Sequence, residues 1–91
     1  MKNNKVTNLK SIVIDSDLIL NENLTIVDMR VYLLIKSQCL VNDIYMTKTS
    51  LLSKTLNFSQ RAIQISLKRL EDEGLIVCEQ AKPFYKIYTT Q

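Results

Sequence analysis

The sequence has few of the residues on which most enzyme sites depend. Its 91 residues include no histidine, no tryptophan and only two cysteines. A zinc site of the Cys/His type therefore lacks its ligands, and a histidine-based catalytic triad lacks its base. A single glycine in the whole chain also excludes a glycine-rich phosphate loop. We therefore expect no enzyme activity, no bound metal and no cofactor.

Long apolar segments are missing as well. No run approaches the roughly 18 consecutive apolar residues of a membrane-spanning helix, and no apolar stretch of the secretory type follows the basic N-terminus. The two cysteines, Cys39 and Cys78, lie in separate apolar segments, where small packed thiols are common. These features predict reduced cysteines, a cytoplasmic location and no membrane partner.

Length and composition indicate one small folded domain. Apolar residues make up 46% and charged residues 23% of the chain, which is typical of globular proteins. The first ten residues carry three lysines and no acid. We expect residues 1–10 to be a flexible basic tail and residues 11–91 to be a single domain.

The charges are unevenly distributed along the chain. The formal net charge is only +3, but seven bases and one acid fall within residues 30–69, and four acids and no base within residues 70–79. This pattern predicts a basic face opposite an acidic one, a distribution suited to binding a polyanion such as DNA. The alternative is an ordinary solvated surface without a ligand.

Capping signals and hydrophobic periodicity predict the first half of the fold. A β-branched run at residues 12–14 indicates a short strand. Thr25 followed by Asp28 fits a capping box, and predicts a helix from about Ile26 to Val41.

The second half of the chain predicts two more helices and a hairpin. Thr47 is expected to cap a helix from about Lys48 to Leu56, and Asn57 can adopt the left-handed turn that follows it. Ser59 is expected to cap a third helix, about residues 60–73, in which three apolar residues form one buried stripe: Ile63, Leu67 and Leu70.

Gly74 then ends the third helix in the manner of a C′ glycine. Two strand-like runs follow, at residues 75–78 and 85–90, with a hairpin loop at residues 80–84 between them.

Two segments resemble a known family. Residues 52–63 carry two apolar residues separated by three others, then a turn residue, an apolar residue, Ser, two polar residues, a small residue and an apolar one. Residues 67–76 end a leucine-rich basic helix with acids and Gly-Leu-Ile. In these features the chain resembles the winged helix-turn-helix DNA-binding family, most closely over residues 47–78. It departs at Asn57, where the family usually has glycine.

The resemblance implies an α+β fold, a three-helix winged helix-turn-helix with a short N-terminal strand and a C-terminal two-stranded wing. It also implies a bacterial protein that binds double-stranded DNA and acts by occupying a site. The biological role would be that of a transcriptional regulator or of an accessory factor in plasmid replication or conjugation, with a larger nucleoprotein complex as a further partner. The alternative is a winged-helix protein-interaction module without DNA binding.

The outward face of the third predicted helix suits base recognition. Arginine pairs with guanine and glutamine with adenine in the major groove, and the helical wheel places Arg61, Gln64 and Lys68 away from the apolar stripe. Whether this helix or the wing dominates DNA binding stays open. The residues predicted to contact DNA are Lys48, Thr49, Ser59, Gln60, Arg61, Gln64, Lys68, Lys82 and Lys86.

The first predicted helix is apolar on most of its circumference. Such a helix is usually covered on more than one side. The rest of the domain can supply that cover, or a homodimer interface can form through Met29, Tyr32, Leu33 and Leu40. A dimer would suit repeated or palindromic DNA half-sites. Both interpretations stay open at this point.

Overall fold

The computed structural model describes residues 21–90, which form three helices and a three-stranded antiparallel sheet in an α+β arrangement. The elements in chain order are α1 (Ile26–Asn42), β1 (Tyr45–Thr47), α2 (Thr49–Leu56), α3 (Gln60–Asp72), β2 (Ile76–Ala81) and β3 (Phe84–Thr89). The three predicted helices and the C-terminal hairpin are confirmed, whereas β1 was not predicted. The expected tail at residues 1–10 and the expected strand at residues 12–14 lie outside the described residues.

Helix α1 starts where the capping pattern predicts. The Thr25 hydroxyl accepts the Asp28 backbone N–H at 3.1 Å, and the Asp28 carboxylate accepts the Thr25 N–H at 2.9 Å. The helix ends at Asn42 and is followed by its C-cap, Asp43, which has a positive φ of 67°. The reciprocal bonds satisfy two N–H groups that would otherwise lack partners at the helix start.

The connection between α2 and α3 also follows from local sequence. Asn57 takes the left-handed conformation, with φ 60° and ψ 41°, which asparagine tolerates better than most residues. Ser59 caps α3, because its hydroxyl accepts the Ala62 N–H at 3.1 Å. Gly74 follows α3 with a φ of 75°, as expected of a glycine just past a helix end.

The prediction that Thr47 caps α2 is wrong. The N-cap position belongs to Lys48, whose side chain makes no capping hydrogen bond. Thr47 instead closes β1, pairs with Tyr85 of β3 and is buried, and its hydroxyl finds no hydrogen-bond partner among the described residues. Pairing with a distant strand therefore outweighs the capping preference of threonine.

Strand β3 lies at the centre of the sheet, whose order is β1-β3-β2. Strands β2 and β3 form a hairpin closed by the pair Ala81 and Phe84, so the connecting turn is only two residues long. On the other side, Tyr45 of β1 pairs with Ile87. The hairpin is thus anchored to the segment between α1 and α2.

The core lies between the three helices and the sheet. The predicted stripe on α3 is buried, and α1 contributes the side chains around Val31 and Ile35. The buried apolar residues are Val31, Tyr32, Ile35, Cys39, Leu52, Ile63, Leu67, Leu70, Ile76 and Ile87. Within residues 21–90, no helix has the length and apolar character needed to cross a bilayer.

Candidate nucleic-acid interface

The outward face of α3 carries four polar or charged side chains. Gln60, Arg61, Gln64 and Lys68 are all exposed and lie outside the buried stripe of the helix. Amphipathicity accounts for this orientation, since the apolar stripe can be buried only if the polar side chains face solvent. The helix therefore presents donors and acceptors to any molecule that docks against it.

A buried carboxylate ties α3 to α1. Asp28 is completely buried, and its oxygens accept hydrogen bonds from Ser66 Oγ at 2.6 Å and from Arg69 Nη1 at 2.8 Å. The same carboxylate also caps the start of α1 through the Thr25 N–H. We call these four residues, Thr25, Asp28, Ser66 and Arg69, the Asp28 cluster. It fixes the rotation of α3 against α1 and thus which side chains of α3 face outward.

Sequence reasoning missed this cluster. It assigned Asp28 only to the cap and counted Arg69 with the basic face, although Arg69 is neutralised by Asp28. The available signal was an acid within an otherwise apolar helix, because a buried charge needs a partner. The partner lies 41 residues away in the chain and has no sequence mark of its own.

Hydrogen bonding keeps the buried Asp28 ionised. Burial by itself raises the pKa of a carboxyl group, but the hydrogen bonds from Arg69, Ser66 and Thr25 together outweigh burial. The pKa of Asp28 is therefore held below its usual value.

The start of α2 lies beside the start of α3. The Thr49 hydroxyl donates to Gln60 Oε1 at 3.5 Å, a long bond that joins the first residues of the two helices. On the other side, Lys48 Nζ lies 5.3 Å from the centroid of the Phe84 ring in the hairpin, within the range of a cation–π contact. The first turn of α2 thus bridges α3 and the hairpin.

Two adjoining clefts connect these elements. One, of about 630 Å³, lies between the start of α2 and the hairpin turn, and contains Lys48 and Lys82. The other, of about 260 Å³, lies between α3 and the hairpin, and contains Gln64 and Lys68. Thr49 lines both clefts, so the surface is continuous. We call the two clefts, together with the exposed start of α3, the front face. It is defined by Lys48, Thr49, Gln64, Lys68 and Lys82, which line the clefts, and by Ser59, Gln60 and Arg61, which are exposed but line neither cleft.

Lys86 is the one predicted DNA-contacting residue that lies elsewhere. It lines a groove with Lys36 and Asp43 near the end of α1. The reason is the alternation of side chains along β3: Tyr85 faces the front clefts and Ile87 the core, whereas Lys86 and Tyr88 share the opposite side of the sheet.

Acidic residues reduce the positive charge at one end of the front face. Lys68 Nζ lies 3.8 Å from an Asp72 carboxylate oxygen, in an exposed pair one helical turn apart. Glu71 lines the cleft between α3 and the hairpin. On the front face, the bases without an ion-pair partner among residues 21–90 are therefore Lys48, Arg61 and Lys82.

Both cysteines carry free thiols. Burial, with a smaller effect from the nearby Glu71, raises the pKa of Cys78 to about 12, and burial raises the pKa of Cys39 as well. Both thiols are therefore poor nucleophiles. Within residues 21–90, no group of three or more metal-ligating side chains is placed to hold an ion.

The residues predicted for a dimer interface fall into three groups by their exposure. Tyr32 is 3% exposed and packs in the core of the single chain, with Lys36 Nζ 5.8 Å from its ring centroid. Leu40 is 61% exposed, whereas Met29 and Leu33 are half-buried.

Comparisons with models of known families, with curated proteins and with solved structures found no match to this chain.

Proposed function

We propose that the protein is a winged helix-turn-helix protein that binds double-stranded DNA and acts by occupying its site. Helices α2 and α3 form the helix-turn-helix, and the hairpin of β2 and β3 forms the wing. The biological role we propose is transcriptional regulation, or an accessory role in plasmid replication or conjugation within a larger nucleoprotein complex. Its cytoplasmic location stays a prediction.

The observation that carries this proposal is the composition of the front face. The polar side of α3 shares a cleft with the start of α2 and the strands of the hairpin. An adjoining cleft between the start of α2 and the hairpin turn contains Lys48 and Lys82, and no acid lines it. Helices of this size fit the major groove of B-DNA, while flanking lysines and helix N-termini contact phosphates.

Each part of the front face has a distinct role in this arrangement. Arg61 and Gln64 lie where an inserted α3 meets base edges, and they read guanine and adenine. Thr49 and Gln60, at the first residues of α2 and α3, contact phosphates and set the depth of insertion. Lys82, in the wing turn, follows the backbone beside the groove.

The first experiment measures the affinity for a short duplex as a function of salt concentration. If several phosphates are neutralised, log K falls linearly with log salt, with a slope of about −0.9 per phosphate. Three free cations on the front face predict a slope near −3, on the order of one phosphate per cation. Absence of binding to any duplex at low salt contradicts the proposal.

The second experiment selects bound duplexes from a random pool and repeats the selection with variants. Arg61→Ala and Gln64→Ala should relax the preference at individual base positions, each by about 1–3 kcal/mol of discrimination. Lys54→Ala, which removes an exposed lysine outside the front face, is the matched control and should leave the selected sequence unchanged. An identical consensus from Arg61→Ala and Gln64→Ala contradicts base reading by α3.

A protein-interaction module is the second candidate function. Two apolar side chains, Leu51 and Ile65, are exposed on α2 and α3, and the acids near the end of α3 oppose phosphate binding. If this is the function, the selection should enrich no DNA sequence. The protein should either not bind duplexes or bind them with an affinity that does not change with salt concentration. The same two experiments therefore separate the candidates.

A further inference from the structure

A second surface lies on the other side of the sheet from the front clefts. It is a groove of about 680 Å³ between the C-terminal end of α1 and the outer side of the sheet. We call it the rear groove and define it by Lys36, Leu40, Asp43, Ile44, Glu79 and Lys86, all of which line it. None of the front-face residues lines it, and the proposed DNA contacts do not involve it.

The rear groove exposes two large apolar side chains, and a third, Met46, lies beside it without lining it. Leu40 is 61% exposed and Ile44 is 40% exposed. Met46, directly across from Lys86 in the pairing of β1 with β3, is 49% exposed. Scattered apolar side chains are normal on a surface, but a contiguous patch rimmed by charges marks an interaction site.

The charges of the rear groove balance, and Glu79 lies directly across from Lys86 in the pairing of β2 with β3. Two lysines, Lys36 and Lys86, face two carboxylates, Asp43 and Glu79. None of the four forms an ion pair with another residue of the described part of the chain. Glu79 accepts a hydrogen bond from the Tyr88 hydroxyl at 2.7 Å, which leaves its second oxygen for another donor.

The order of these groups along α1 identifies the complementary surface. Lys36 and Leu40 are four residues apart and therefore lie on one face of the helix. Asp43 caps the C-terminal end of α1 outside the helix and lines the same groove as Lys36 and Leu40, so a base and an acid lie on either side of Leu40 along the chain. A second copy of this ridge, running antiparallel, brings Lys36 against the partner's Asp43 and Asp43 against the partner's Lys36, with the two Leu40 side chains at the centre.

We propose that the rear groove is the interface of a homodimer, in which two copies of α1 pack antiparallel about a two-fold axis near Leu40. A two-fold interface requires a patch that is complementary to itself, and a ridge with opposite charges at its ends and a leucine between them meets that requirement. A partner surface with charges of only one sign would repel two of these four side chains. Both front faces stay uncovered in this dimer.

The first test measures the mass of the full chain in solution by sedimentation equilibrium over a wide concentration range, without DNA. We expect a monomer–dimer equilibrium that Leu40→Glu shifts toward monomer, raising the dissociation constant by about 100-fold, because like charges then meet at the axis. Val41→Glu is the matched control: Val41 is equally apolar and exposed, but it does not line the groove, so its dimer should persist. Circular dichroism checks that each variant is folded.

The second test uses two variants that repel their own copies. Lys36→Asp brings a carboxylate at position 36 against the partner's Asp43, and Asp43→Lys brings a lysine at position 43 against the partner's Lys36. Like charges then repel across the interface, so each variant alone should be monomeric. Mixed together, they restore both pairs and should form a heterodimer, detected by labelling one variant. Thermal melting verifies that Asp43→Lys tolerates the positive φ at this position.

Three results overturn the proposal: a wild-type chain that is monomeric at every concentration, a dimer unaffected by Leu40→Glu, or a mixture that forms no heterodimer. Because DNA is absent from both tests, their failure is distinct from failure of the proposed DNA binding.

Discussion

The front face and the rear groove both contain lysines beside the same three-stranded sheet, but those lysines have different neighbours. On the front face, Lys48 and Lys82 share a cleft that no acid lines. In the rear groove, Lys36 and Lys86 share a cleft with Asp43 and Glu79. The first arrangement favours a polyanion, and the second favours a partner with both signs of charge. The charges that surround each lysine therefore indicate the chemistry of its partner better than the number of lysines does.

One strand separates the two surfaces. Along β3, Tyr85 lines the front clefts, Ile87 is buried in the core and Lys86 lines the rear groove. Alternation along the strand places Lys86 on the opposite side of the sheet from Tyr85 and Ile87. Position along β3 then separates Tyr85, which lines a cleft, from Ile87, which is buried. A basic residue in the hairpin can belong to either surface, and only its register decides which.

The Asp28 cluster links the two surfaces mechanically. Helix α1 carries the ridge of the rear groove and α3 carries the front face, and the Asp28 carboxylate bonds to both helices. A change in this cluster should therefore affect both surfaces, whereas a change at either surface should stay local.

The largest effect is expected for Asp28→Ala. The substitution leaves Arg69 without its partner and removes the α1 cap, so we expect the free energy of unfolding to fall by about 3 kcal/mol. This value is at the lower end of the range for breaking a buried ion pair, because Arg69 is partly exposed. That is a large part of a typical total of about 5–15 kcal/mol. Urea denaturation followed by circular dichroism measures it.

The matched control is Asp72→Ala, which removes the carboxylate of an exposed pair on the same helix. It should change the free energy of unfolding by no more than about 0.5 kcal/mol. Equal effects of the two substitutions would contradict the role given to the Asp28 cluster.

A smaller effect is expected when lysines of the two surfaces are compared. Lys82→Ala should weaken binding to all duplexes by about tenfold and reduce the salt slope by about one. Lys86→Ala should leave affinity for a short duplex with a single site unchanged, because Lys86 lines the rear groove. Fluorescence anisotropy measures both, and a loss from Lys86→Ala equal to that from Lys82→Ala would place DNA on both surfaces.

The smallest effect on stability is expected when the pH is lowered. Because hydrogen bonds lower the pKa of Asp28 in the folded state, ionised Asp28 contributes stability at pH values above its unfolded pKa of about 3.9. That contribution should be lost as the pH falls through the lower folded pKa. Asp28→Asn should unfold with a weaker pH dependence in this range, measured by thermal melting. A wild-type midpoint no more sensitive to acid than that of Asp28→Asn would contradict the shift.

Local sequence signals predicted much of the fold. The capping box of Thr25 and Asp28, the left-handed Asn57, the Ser59 cap and the position of Gly74 each depend on residues within one turn of chain. The buried stripe of α3 follows from periodicity. Such features are predictable because neighbouring residues supply all the interactions that they need.

The candidate site was only partly predictable for the opposite reason. The wheel of α3 identified Arg61, Gln64 and Lys68 as outward-facing because a single helix defines that face. Lys86 was grouped with the other predicted DNA contacts but lines the rear groove, because the side of the sheet on which it lies depends on the register of β3 with both neighbouring strands. Thr47 was assigned to a cap because β1 exists only through its pairing with β3.

The amino-acid sequence by itself determined where helices start and stop, which side of α3 is apolar, and that histidine-based chemistry is absent. The tertiary structure alone decided that Asp28 meets Arg69, that Lys82 and Lys86 lie on different surfaces, and that opposite charges remain unpaired beside Leu40. The physical reason is distance along the chain. Hydrogen bonds between neighbours follow from local residue types, whereas buried ion pairs and grooves need segments tens of residues apart to be held together by the core.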